Sequence, residues 1–87
     1  MKSRTTKRFW KLYQALPGEI QLAANKAYAL WLENPAHPSL HFKRVDPEEP
    51  IYSIRITRQY RALGVLRDDV IVWFWIGKHG VYDRLLR

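Results

Sequence analysis

The sequence predicts an α+β domain: two N-terminal helices packed on one face of a small, mostly antiparallel, four-stranded sheet. Three observations predict it. Apolar residues in the first third of the chain recur at three- and four-residue steps, the period of a helix with one buried face. After Leu40 the period becomes two, that of a half-buried strand. Pro and Gly fall between the runs and separate them. Helices first and strands afterwards is an α+β order, not an alternation of β and α units. With 87 residues the chain is expected to form one domain, 1–87, because two cores of half that length would each be too small to stand alone.

The elements follow in order. Residues 5–16 read as a helix in which Phe9, Trp10, Leu12, Tyr13 and Leu16 repeat at helical steps, with Lys7, Arg8, Lys11 and Gln14 between them. Pro17-Gly18 breaks it. Glu19 to Glu33 reads as a longer helix whose buried stripe is Ile20, Ala23, Ala24, Ala27, Leu30 and Trp31. Its alanines permit close packing. Asn34-Pro35 ends it, since proline cannot continue a helix and restricts the residue before it. Leu40 to Val45 is a short extended segment, and Asp46-Pro47-Glu48-Glu49-Pro50 a polar turn. In Ile51 to Thr57 the side chains alternate. Tyr52, Ile54 and Ile56 are expected to face the helices, opposite Phe9, Leu12, Ala27 and Trp31, while Ser53, Arg55 and Thr57 face solvent. Arg61 to Leu66 is the third strand, with Gly64 inside it, and Arg67-Asp68-Asp69 a tight turn. Val70 to Ile76 is apolar on both faces and should be the most covered strand. Gly77-Lys78-His79-Gly80 reads as a loop, followed by a short tail, Val81 to Arg87.

Composition narrows the function. Apolar residues make up 47% of the chain, enough for a packed core, which excludes a mostly disordered segment. The absence of cysteine excludes a disulfide scaffold, a thiol nucleophile and a Cys-ligated zinc site. No stretch approaches 18 uninterrupted apolar residues and no apolar run follows the basic N-terminus. No membrane contact and a cytoplasmic location are therefore expected. The net charge is +7, and a small protein this basic is expected to meet a polyanion or an acidic partner. The charge is uneven: residues 1–16 carry five cations and no acid, residues 17–50 three cations and five acids, and residues 51–87 seven cations and three acids.

The side chains that could carry chemistry are few. His37 and His41 lie four apart in a proline-rich loop, where that spacing does not align side chains, so no metal site and no cofactor are expected. There is no glycine-rich phosphate loop, and the paired carboxylates Glu48-Glu49 and Asp68-Asp69 sit in turns. The informative group is cationic. Arg55 points away from the core face, Arg58 and Arg61 flank the next turn, and Lys78-His79 end the last strand. Such a face beside Tyr and Trp suits phosphates and unstacked bases. Histidine is the side-chain type that exchanges protons near neutrality, which makes His79 the candidate acid or base.

Several stretches, taken in order, resemble the RelE/ParE superfamily of bacterial type II toxin–antitoxin modules. They are Asn34 to Leu40 with Phe42-Lys43, Tyr52-Ser53-Ile54-Arg55-Ile56, Tyr60-Arg61-Ala62-Leu63, and Trp73 to His79 with Tyr82-Asp83. The resemblance covers nearly the whole chain. It implies one of two activities. RelE-like members are ribonucleases that cut mRNA, usually in the ribosomal A site; ParE-like members poison DNA gyrase and lack the nucleolytic residues. In the first case the resemblance implies that Arg61 contacts the scissile phosphate, Arg55 adds a second cation, His79 transfers a proton and Tyr82 orients a base. Lys43, Arg58 and Lys78 would hold the RNA backbone. The resemblance puts Ser53 where strongly active members place Lys, and no carboxylate sits at an obvious general-base position. In either case the resemblance implies a cognate acidic antitoxin as partner, and in the first also mRNA and the ribosome.

Overall fold

The computed structural model describes residues 2–85, without the side chains of Tyr82 and Leu85. The first helix begins where a side chain can cap it. Thr6 is extended (φ −98°, ψ 164°), and its hydroxyl accepts a hydrogen bond from the Phe9 N–H at 3.1 Å, satisfying one of the donors left open at a helix start. This sets α1 at Lys7–Gln14. Helix α2 follows at Gly18–Glu33, with Pro17 at its N-cap. The Gln21 side-chain amide donates to the carbonyls of Tyr13 (2.9 Å) and Leu16 (3.3 Å), so α2 satisfies acceptors at the end of α1 and ties the helical hairpin together. Pro38–Leu40 forms a single 3-10 turn, in which His37 Nδ1 accepts from the Ser39 N–H. His37 thus has a capping role.

The strands are β1 (Lys2–Thr5), β2 (Lys43–Arg44), β3 (Ile51–Arg55), β4 (Tyr60–Arg67) and β5 (Val70–Lys78), in the spatial order β1-β5-β4-β3-β2. A short helix, α3, closes the chain at His79–Leu85. The expected architecture is therefore corrected in two places. The sheet has five strands and is mixed, because β1 runs parallel to β5, pairing Lys2 with Val70 through Thr5 with Trp73. Lys2-Ser3-Arg4-Thr5 has no apolar alternation, since it sits at the sheet edge with its side chains mostly exposed, and backbone pairing alone makes it a strand. The segment after β5 is helical from His79 onward, where a loop and tail were expected. Gly80 lies inside that helix, and no described glycine takes a positive φ.

The core forms as expected on the helix side of the sheet. Ile54, Ala62, Ile71, Trp73 and Ile76 are buried with Ala24, Ala27 and Trp31 of α2, and Phe9, Leu12, Tyr52 and Ile56 pack against them. Trp31 has no exposed surface and meets Trp73 and Phe42 edge-on, at centroid distances of 5.4 and 5.8 Å. The two-faced apolar run of β5 has a structural cause. Trp73 pairs with Gly64 and Trp75 with Leu63, so Phe74 is an extra residue in a β-bulge. The bulge shifts the alternation. Ile71 and Trp73 before it and Ile76 after it share the helix side, and Trp75 turns to the other face with Leu63. Gly64 is required opposite Trp73: a Cβ there would lie 2.6 Å from Ile71 Cγ2 and 2.8 Å from Trp73 Cε3.

The Asp46 carboxylate closes the β2–β3 turn by accepting from the N–H groups of Glu48 and Glu49. The bonds from Glu49 and then Glu48 hold its pKa below the usual carboxylate range. No described helix is long and apolar enough to cross a membrane.

Candidate active site

Pairing register lays out the sheet face turned away from α1 and α2. One row runs Lys43, Ser53, Leu63, Trp75 across β2 to β5. The next row, two residues along, runs Arg55, Arg61, Gly77. Arg55 and Arg61 are direct cross-strand partners on one face, a like-charge juxtaposition that is unfavourable unless something anionic meets it. Among the described residues no carboxylate forms an ion pair with Arg55. Gly77 keeps its place in the row free of a side chain. A Cβ there would lie 2.7 Å from Cζ2 and 2.9 Å from Cη2 of the Trp75 indole, which lies over this glycine.

Arg61 is held at the end of the sheet by the β3–β4 turn. Its Nη1 donates to the carbonyls of Thr57 at 2.7 Å, Tyr60 at 3.0 Å and Arg58 at 3.3 Å. Several carbonyl dipoles around one guanidinium fix where its positive charge sits. His79 starts α3 directly beyond β5, and its backbone N–H donates to the Gln59 carbonyl of the same turn at 2.7 Å. Its Nε2 lies 3.6 Å from Asp83 Oδ2, one helical turn on, with both side chains about half exposed. A carboxylate beside one imidazole nitrogen fixes the orientation of the ring.

The structure therefore places Arg55 and Arg61 in one row of one face and ties the backbone of His79 to the turn that holds Arg61, with Lys43 exposed at the edge of the adjacent row and Arg58 exposed in the turn. Lys78 is separated from them. It pairs with Tyr60, one position out of phase with Arg61 and Gly77, which places it on the helix side at the end of β5. Tyr82 belongs to α3, but its side chain lies outside the described residues. Ser53, expected in solvent, is 2% exposed; its small side chain sits mid-row between Lys43 and Leu63, with Trp75 beyond. Among the described residues no three His, Asp or Glu side chains come together as a metal site. Sequence reasoning missed Asp83 and Thr57. The four-residue step from His79 to Asp83 becomes visible only once the tail is read as a helix. Thr57 carries the local signature of a hydroxyl that caps the N–H groups two and three residues ahead.

The family model of the ParE-like toxin domain matches residues 18–84. The fold is shared with solved structures at low sequence identity. A chain of the RelB–RelE antitoxin–toxin complex from Methanococcus jannaschii superposes with a TM-score of 0.74 at 19% identity, covering 93% of this chain and 96% of that one. YafQ from E. coli also gives 0.74, at 9% identity and the same coverages. A chain of the RelBE2 toxin–antitoxin complex from Mycobacterium tuberculosis gives 0.70 at 21% identity, covering 90% and 96%. None of the curated proteins matches the chain by sequence.

Proposed function

This chain belongs to the ParE-like toxin family, within the RelE/ParE superfamily of type II toxins, and on that premise we propose that it is an endoribonuclease that cuts mRNA at the ribosome and so stops translation. The observation that carries the reading is the cross-strand pair Arg55–Arg61, together with the anchoring of His79 to the same turn as Arg61. RNA carries its own nucleophile, the 2′-hydroxyl, so the protein has to align, neutralise and move protons. The 2′-oxygen attacks the adjacent phosphorus, and the bond to the 5′-oxygen breaks. Arg61 and Arg55 offset the charge added at the phosphate. His79 acts through Nε2, the nitrogen beside Asp83: it takes the 2′-hydroxyl proton or supplies one to the leaving 5′-oxygen, and water exchanges the other proton. Lys43 and Arg58 hold neighbouring phosphates, and Tyr82 positions a base.

A second reading has its own support. The matching family model is ParE-like, and by the sequence resemblance Ser53 stands where strongly active nuclease members place Lys. On that reading the chain inhibits DNA gyrase by binding it. Brief expression in bacteria separates the two. Loss of total mRNA with unchanged plasmid supercoiling supports the nuclease; DNA breaks with intact mRNA support gyrase poisoning.

The partner in both readings is an acidic antitoxin that covers the Arg55–Arg61 face and folds as it binds. Steering between its acids and a chain of net charge +7 is screened by salt. The association rate constant is expected to fall as salt rises from low to physiological ionic strength, measurable by stopped-flow mixing. A rate that does not change over this range would contradict the electrostatic account.

A further inference from the structure

The β3–β4 turn does more than connect two strands. The carbonyls of Thr57, Arg58 and Tyr60 hold the Arg61 guanidinium, and the intervening carbonyl, that of Gln59, holds the backbone N–H of His79. Four consecutive carbonyls thus end on the two residues assigned the phosphate and the proton. The turn is itself pinned from inside. Thr57 Oγ1 accepts from the N–H groups of Gln59 and Tyr60, each at 3.2 Å. The N–H groups of Ile56 (3.0 Å) and Thr57 (3.3 Å) both reach back to the Tyr60 carbonyl. Without the Thr57 hydroxyl, the amides of Gln59 and Tyr60 lose this acceptor, and the turn that presents the four carbonyls is held only by the backbone bonds to the Tyr60 carbonyl.

We propose that Thr57 is a positioning residue, whose hydroxyl locks the turn that sets Arg61 and His79 relative to one another. This rests on the nuclease reading for the roles of Arg61 and His79, but the locking itself does not. Thr57→Val keeps the shape of a half-buried side chain and removes the hydroxyl; Thr57→Ser keeps the hydroxyl and removes the methyl. Both variants are first checked by thermal unfolding.

Two readouts are then taken on the full chain. The first is NMR. In the wild type the two Nη resonances of Arg61 are expected to be resolved, because hydrogen bonds slow guanidinium rotation. Thr57→Val should merge them and speed hydrogen exchange at the Tyr60 and His79 amides, and Thr57→Ser should restore both. The second is the cleavage rate on ribosome-bound mRNA. Thr57→Val should lower the rate at saturating RNA by about ten- to a hundredfold, the scale of a small misplacement of catalytic groups, with KM nearly unchanged and Thr57→Ser close to wild type. Unchanged Arg61 resonances and His79 exchange in Thr57→Val would overturn the proposal. So would a Thr57→Ser variant as impaired as Thr57→Val, since the methyl would then be the part that matters. If the wild type cuts no RNA, the nuclease reading fails, and the NMR readout still decides the role of Thr57.

Discussion

Replacing Arg61 by alanine is expected to abolish toxicity while the protein stays folded. The side chain carries the cation fixed most firmly at the candidate site, with Nη1 on three turn carbonyls. Loss of a comparable donor to a developing charge lowers rates by roughly 10²–10³. The fold should survive, because Arg61 is only half-buried and lies outside the core. His79→Ala should lower the rate by about 10²–10⁴ if the imidazole carries the proton. His79→Gln separates the histidine's two roles. It keeps a hydrogen-bonding shape of similar reach without titrating, and the backbone bond to Gln59 is untouched. A fully toxic His79→Gln would assign the histidine to positioning RNA alone. If Arg61→Ala and His79→Ala both remained toxic with intact mRNA, the nuclease reading would fall. Gyrase binding would then lead, since contacts spread over an interface survive the loss of two side chains.

The largest effect on stability is expected at Trp31. It is fully buried where α2 meets the sheet, edge-on to Trp73 and Phe42 and stacked on Tyr28. Trp31→Ala should destabilise the fold by about 3–5 kcal/mol, the range for removing a core aromatic. The indole N–H has no acceptor among the described residues, so the loss is one of packing. Trp31→Phe should therefore be much milder, because it keeps an aromatic ring and removes a buried donor without a partner. Urea unfolding would show the difference as a lower midpoint at unchanged slope. A loss below about 1 kcal/mol for Trp31→Ala would mean that α2 is not seated on the sheet as described.

The legible parts of the sequence are those where burial imposes a period. Phe9, Leu12, Ala27, Trp31 and Ile54 were readable as core because each repeats at the spacing its element needs. Strand β1 was not, since Lys2–Thr5 bury no alternating set. The apolar run of β5 showed that both faces are covered but hid the bulge at Phe74, which only pairing with Gly64 and Leu63 reveals. Ser53 lies on the expected face but is buried there, because alternation predicts a face and not how far large neighbours shadow a small side chain. The cations of the candidate site were visible as residue types. Their grouping depends on long-range register, which pairs Arg55 with Arg61 and removes Lys78 from their face. The carbonyls that hold Arg61 and His79 belong to the backbone and leave no residue-type signal.

On the nuclease reading, the Arg55–Arg61–His79 group promotes cleavage of RNA by attack of the RNA's own 2′-hydroxyl. The most direct measurement is the chemistry of the ends made when the purified toxin meets ribosome-bound mRNA. The account predicts fragments with a 2′,3′-cyclic phosphate on one side of the cut and a 5′-hydroxyl on the other, and no such fragments with Arg61→Ala. Intact mRNA at toxin concentrations that arrest growth, or ends bearing a 5′-phosphate and a 3′-hydroxyl, would contradict it.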